Sequence, residues 1–471
     1  MSPVANFLWN RLSKSLWITT LVLLVGSILI QRNINEFLFS FLLIPFFFVS
    51  AKCIYNATVH SQRVLYIKVI FWGSLLVKIC AVFAMNAILE FYNDMPFLSY
   101  NDDFIYNGSA VELYNRWKVS GFGFYDDIQH GSGTYSGFPI FSALMMNVFG
   151  VSHLTPRIGN AILSSFTSII AYKIVREYCS EENARLVGVL FMLSPLLTIF
   201  SAMQFKDTLL LFFSMLAVLS VVRILNRKQV IKSIVLLTLS VGGISLGRPA
   251  AIVPIVGAYL VVLLYRFLNK KNHGIIPQLV VLVFVFWGLF KVWGALSMLG
   301  VADYGDYFES RYLNLSQSDI MNTEAGITRL SLSALAGAPM YVLFGLFLPP
   351  PLLISWDSLD YAINYSAWAC VYHTAIIPFL VVSMINIFRK RKESAVPLYL
   401  LITFILFKIG QAESVMSIFS PRQSLSTMMV MYLCLPMYDA GDEKMEKWML
   451  GLAIVVALSY SLIRAISHGI L

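Results

Sequence analysis

The stretch "ARLVGVLFMLSPLLTIFSAMQFKDTLLLFF", residues 184–213, holds two apolar runs joined by a short turn in which Lys206 and Asp207 stand side by side. A helix of roughly 17–25 apolar residues crosses a ~30 Å hydrocarbon core. The stretch therefore reads as one span, over residues 186–200, a tight polar turn, and a second span returning.

The rest of the chain repeats this pattern. Of its 471 residues 58% are hydrophobic and 13% charged, and mean hydropathy is +0.75, far too apolar for a soluble domain. The alternation a transmembrane barrel needs is missing. The expected fold is all-α, a polytopic membrane helical bundle of about thirteen spans, within a range of roughly 11–14.

Basic clusters set the orientation, because Lys and Arg collect on the cytoplasmic side. The N-terminus "MSPVANFLWNRLSKSLWITTLVLLVGSILI" has basic residues before an apolar run and no small-residue cleavage site, so it reads as an uncleaved anchor starting in the cytoplasm. Spans over residues 16–30, 37–50 and 69–91 then deliver a first external loop, residues 92–156. Later spans leave "VREYCSEENAR", "RILNRKQVIK", "RFLNKKNHG", "RKRKE" and "DAGDEKMEKW" inside. "SAMQFKD", "LGRPA", "SIFSPRQ" and a second long loop, residues 300–365, fall outside. The ninth span covers residues 277–299, and the stretches 137–150 and 333–348 lie on or only partly in the outer interface. The whole chain, 1–471, reads as one integral membrane domain.

A formal charge of +9 does not imply nucleic acid, because the basic residues fall in short clusters between spans and not on one face. Cys53, Cys80, Cys179, Cys370 and Cys434 show no paired or metal-like spacing and read as small core residues. No nucleotide-phosphate loop appears, and "GFGFYDD" and "GSGTYSG" match no dinucleotide fingerprint. His130, His153 and His373 lack metal-ligand spacing.

On this topology one surface gathers Asp102, Asp103, Lys206, Asp207, Arg248, Arg311, Arg329 and Arg422. Charges near hydrocarbon cost roughly 2.5–3.5 kcal/mol each at the centre, less towards the interface, so the gathering needs mutual pairing or a function. In "SYNDDFIYNGSAVELYNRW", residues 99–117, Asn101 or Asp102 can cap the amphipathic helix that follows. Either aspartate can also serve as a base on a substrate arriving from outside. Lys206 reads as a snorkelling lysine or a point charge for phosphate, and Asp207 as an N-cap or a functional carboxylate. Gly247 and Pro249 fix Arg248 at the mouth of the bundle, while Arg311 in "FESRYLN" and Arg422 in "SPRQ" are further guanidinium groups suited to phosphate. External aromatics Trp117, Tyr125, Tyr135, Tyr304, Tyr307 and Trp356 suit an interfacial belt or sugar stacking.

The order of an acidic external loop, "SGFPIFSALMMNVFG", "PRIGNAILSSFTSIIAYKIVRE" and the opening stretch resembles the membrane glycosyltransferases of the GT-C fold, particularly bacterial relatives of the protein-mannosyl and aminoarabinose transferases. The resemblance covers residues 95–250. It implies an inverting transfer from a polyprenyl-phosphate-linked sugar donor to a glycan or lipid-linked acceptor on the external face. It gives the base role to Asp102 or Asp103, a further acidic position to Asp207, and the lipid phosphate to Lys206, Arg248, Arg311 or Arg422. A divalent metal, Mg or Mn, between Asp102, Asp103 and Asp207 is left open. The chain departs from the family pattern in carrying three spans before the acidic loop and no large C-terminal soluble domain. Surface polysaccharide assembly in a bacterial inner membrane, with undecaprenyl phosphate as carrier, is the implied setting. Two other readings stand beside it: an oligosaccharide-repeat polymerase of the O-antigen or capsule type, and a lipid-linked oligosaccharide flippase or transporter. No internal repeat supports the last.

Overall fold

The computed structural model describes residues 3–31, 35–98, 102–122, 137–268, 365–390, 394–412, 425–439 and 443–467. Among these residues the secondary structure is helical and contains no strand, as a bundle that must satisfy its backbone within lipid requires.

The first three helices are long: α1 (Pro3–Gln31), α2 (Asn35–Thr58) and α3 (Arg63–Asn93). They extend past the apolar cores marked by the sequence. A short amphipathic helix, α4 (Asp102–Ser120), and a very apolar one, α5 (Gly137–Phe149), follow. With 13 residues, α5 is about 20 Å long and too short to cross the hydrocarbon alone, consistent with an interfacial or partial insertion. Then come α6 (Leu154–Arg176), α7 (Glu181–Met192), α8 (Pro195–Ser201), α9 (Asp207–Leu225), α10 (Val230–Ser245) and α11 (Ile252–Leu268). The C-terminal part holds α12 (Tyr365–Arg389), α13 (Ala395–Ala412), α14 (Leu425–Leu433) and α15 (Glu443–Ser467).

Five helical segments among the described residues are long and apolar enough to cross a membrane, or six if the bent pair α7–α8 counts as one. The expectation of about thirteen spans is thus not reached within the described residues. Residues 277–299, 333–348 and most of 300–365 lie outside them.

The span expected over residues 186–200 is broken. α7 and α8 meet at a 46° bend because Pro195 has no N–H to continue the helix, while Ser194 restarts it by accepting the Leu197 N–H on Oγ at 3.5 Å.

α6 is the hub. It packs against α3, α5, α7 and α9, and small residues allow the close approach. Ser164, Ser165 and Ser168 are fully buried on it, and a Cβ on Gly159 would collide with Phe141 of α5. The N-terminal helices pack on the C-terminal ones: α1 contacts α12 and α15, with Ser15 Oγ donating to Ala375 O at 2.7 Å.

Chain direction places the end of α3 and the starts of α4, α6 and α9 at one end of the bundle. The opposite end carries Arg63, Glu177, Glu181, Arg185, Arg223 and Lys228, tied by Arg63–Glu181 (3.2 Å), Arg185–Glu181 (3.1 Å) and Lys228–Glu177 (2.9 Å).

Candidate active site

The start of α4 is built by Asp103. It is 2% exposed, and its Oδ2 accepts the Leu98 N–H at 2.5 Å while Oδ1 accepts the Phe104 N–H at 3.1 Å. An aspartate in a first helical turn meets unsatisfied N–H groups and the positive end of the helix dipole. Burial pushes the Asp103 carboxyl above its ordinary pKa, opposed by the backbone N–H groups and by Arg157. Asp102, the first residue of the helix, is half-buried. Neighbours on a helix point about 100° apart, so the two carboxylates face different surroundings.

Arg157, in the first turn of α6, is 1% exposed. Its Nη1 donates to Asn86 Oδ1 at 3.3 Å and its Nη2 to Pro96 O. It thereby ties the end of α3 to the segment that leads into Asp103. His153 lies just before α6, with Nε2 3.9 Å from Glu90 Oε1. Burial and the nearby Arg157 lower its pKa from the usual 6.5.

The turn after α8 is pinned from two sides. Asn160 Nδ2 donates to Met203 O at 2.9 Å and to Phe205 O at 3.1 Å. Gln204 Nε2 donates to His153 O at 2.6 Å and to Asn107 Oδ1 on α4 at 3.1 Å. Lys206 and Asp207 follow at once, 5% and 3% exposed. Lys206 Nζ stands 5.8 Å from the centre of the Tyr106 ring on α4, within cation–π reach. Tyr106 in turn packs edge-on to Phe138 of α5, centroids 5.5 Å apart, in a cluster with Leu209 of α9.

Arg248 joins through α5. The Gly137 N–H donates to Leu246 O at 3.1 Å, so the start of α5 rests on the end of α10, two residues before Arg248. Arg248 is half-exposed, in extended backbone (φ −158°) ahead of Pro249.

The structure thus sets the turn that carries Lys206 and Asp207 against α4, the helix that opens with Asp102 and Asp103, and rests the start of α5 on the Leu246 carbonyl, two residues before Arg248. Arg311 and Arg422, with Arg329, Tyr125, Tyr135, Tyr304, Tyr307 and Trp356, lie outside the described residues. For a divalent cation the fit is poor: among the described residues no three His, Cys, Asp or Glu side chains form a group able to hold one, so Asp102, Asp103 and Asp207 do not make a shared ligand set.

Reading the sequence for isolated charged groups missed Arg157, Asn160, Gln204 and Asn107. Arg157 carried a signal, since an arginine inside the first turn of an apolar span demands partners. Gln204 and Asn160 carried none beyond being amides in apolar surroundings.

No curated protein matches the chain. A family model described as dolichyl-phosphate-mannose-protein mannosyltransferase matches residues 137–293, a third of the chain, which takes in Arg157, Lys206, Asp207 and Arg248 but begins after Asp102 and Asp103.

Proposed function

We propose that this chain is a membrane glycosyltransferase of the GT-C type, moving a sugar from a polyprenyl-phosphate carrier to a hydroxyl of a glycan or lipid-linked acceptor. The observation that carries this reading is the pinned turn 202–207, which holds the Lys206 amine against Tyr106 on the same short helix that opens with Asp102 and Asp103. Base and cation are thereby presented on one platform. The match over residues 137–293 supports the same class.

In the proposed reaction Asp102 takes the proton of the acceptor hydroxyl. The acceptor oxygen attacks the anomeric carbon from the face opposite the phosphate. The bond between that carbon and the phosphate oxygen breaks, and the configuration at that carbon is inverted. The leaving polyprenyl phosphate keeps the electron pair, and its growing charge is met by Lys206 and Arg248. Arg311 and Arg422 are further candidates for that phosphate. Asp103 holds the start of α4, and Asp207 orients the acceptor or the sugar beside Lys206. No step is routed through a metal.

The bias of basic residues supports a cytoplasmic assignment for the ion-paired end with Arg63, Arg185, Arg223 and Lys228, and with it an external proposed site. A bacterial inner membrane and surface polysaccharide assembly are the proposed setting, within one membrane domain whose loop 92–156 carries the acid.

The test is a mass-spectrometric profile of lipid-linked and surface glycans in cells carrying wild type, Asp102→Asn or Lys206→Gln at matched membrane levels. Loss of one sugar at normal chain length supports transfer. Loss of repeat polymerisation alone would replace this reading with a polymerase, and unchanged glycans would turn attention to transport.

A further inference from the structure

Lys78 lies at the midpoint of the α3 span Arg63–Phe91 and is fully buried. A lysine at that depth is expensive unless its amine finds partners, and among the described residues Lys78 makes no salt bridge. What it does contact is specific. Its Nζ donates to Ser74 Oγ, one turn back on α3, and to the backbone carbonyl of Met192 at 3.4 Å. Ser74 Oγ is 3.5 Å from Ser168 Oγ on α6.

Met192 is the last residue of α7, directly before the 46° break. In an unbroken helix its carbonyl would accept the N–H four residues on. Here the helix restarts at Pro195 under the Ser194 cap, with Leu193 N–H returning to Val189 O. The Met192 carbonyl is thereby freed in the bundle interior, where an unsatisfied backbone group is expensive. Lys78 satisfies it.

The direction of this break decides where the pinned turn lands. α8 has 7 residues, about 10 Å of rise, so straightening a 46° bend would move its far end by roughly 8 Å. That exceeds the reach of the Gln204–Asn107 hydrogen bond.

We propose that Lys78 is a positioning residue that holds the α7–α8 break open, and so keeps Gln204, Lys206 and Asp207 against α4. It touches no substrate in the proposed reaction. The inference rests on the site reading given above for its functional meaning, but its geometry is testable without activity.

The experiment uses the full chain in nanodiscs, with its five cysteines replaced and new pairs joined by a short bis-thiosulfonate. Asn107→Cys with Gln204→Cys reports the turn against α4. Phe71→Cys with Phe166→Cys, whose native rings have centroids 4.8 Å apart, reports α3 against α6. Lys78→Met is expected to slow 107–204 crosslinking at least fivefold and leave 71–166 within twofold. Lys78→Gln, which reaches Ser74 but not Met192, is expected to do the same if the methionine variant fails to fold, while Lys78→Arg is expected to keep the native rate. An unchanged 107–204 rate in Lys78→Met or Lys78→Gln overturns the inference, as does an equal fall in both pairs, which would make Lys78 a general packing residue. Absence of sugar transfer by the wild type would sink the proposed function and leave this result intact.

Discussion

Asp103 closes a loop on Leu98: its Oδ2 accepts the Leu98 N–H at 2.5 Å, drawing residues 94–98 back over the start of α4. Both of its oxygens take backbone donors, whereas Asp102 sits half-exposed beside it. The two adjacent aspartates should separate experimentally. Asp103→Ala strands two N–H groups and should cost about 1–3 kcal/mol, seen as a lower melting temperature of the purified protein. Asp102→Asn, half-exposed and isosteric, should lose less melting temperature than Asp103→Ala and lower kcat/KM by about 10²–10⁴. Equal melting losses in both variants would reject this division of labour.

The acid side of the stability curve carries a signature of Asp103. Burial raises its pKa above 3.8, so the folded chain holds this proton more tightly than the unfolded chain. Its contribution to stability is therefore complete below pH 3.8 and is lost as pH rises through the higher folded value. Paired carboxylates behave in the opposite sense. Wild type minus Asp103→Asn, followed by melting temperature in steps from pH 3.5 upward, should decline and then level off. A difference that grows with pH would contradict the raised value.

Arg157 joins the end of α3 to the segment before α4 through Asn86 and the Pro96 carbonyl. Replacing it with Met strands the Asn86 Oδ1 and Pro96 carbonyl acceptors, a loss worth roughly 1–3 kcal/mol. Because Arg157 lowers the Asp103 pKa, the variant should also shift the levelling point just described to higher pH. Denaturant unfolding of Arg157→Met measures the first effect and the pH series the second.

For Lys206 the prediction concerns the donor. A charge-assisted contact to phosphate is worth about 1.5–3 kcal/mol, so Lys206→Gln should raise donor KM roughly 10- to 100-fold. Tyr106→Ala, which removes the ring that Nζ faces at 5.8 Å, should raise it less, because the charge remains. Steady-state kinetics with a purified polyprenyl-phosphate sugar gives both values; a larger effect from Tyr106→Ala would argue against a phosphate role for Lys206.

Apolar run length made the helices visible in the sequence, and the bias of basic residues assigned Asp102, Asp103, Lys206 and Asp207 to one end of the expected bundle. The break in the span over residues 186–200 was less visible, although "SPLL" holds two of its causes: a proline without a donor and a serine able to cap. Run length alone cannot tell a proline at a helix start from one inside a bent span. Asn160 and Gln204 were hidden for a different reason. Each acts by donating to carbonyls of a turn more than forty residues away or on another helix, and that pairing arises only from packing. Lys78 was overlooked because a single lysine barely lowers the hydropathy of an apolar window.

Gly137 tests whether α5 carries Arg248 into the site. A Cβ at this position would stand 2.6 Å from Leu246 Cβ and 2.8 Å from Leu246 O. Backbone cannot yield as a side chain tip can, so Gly137→Ala must push α5 away from the end of α10 and lengthen the 3.1 Å hydrogen bond from Gly137 N–H to Leu246 O. Overpacking of this kind costs about 1–3 kcal/mol. If Arg248 contacts the donor phosphate, displacing the Leu246–Arg248 turn should raise donor KM as well. Gly108 in α4 is the control: a Cβ there meets nothing within 4 Å, and alanine should stabilise the helix by about 0.5–1 kcal/mol with KM unchanged. A Gly137→Ala variant that loses stability but keeps its donor KM would show that Arg248 works apart from α5.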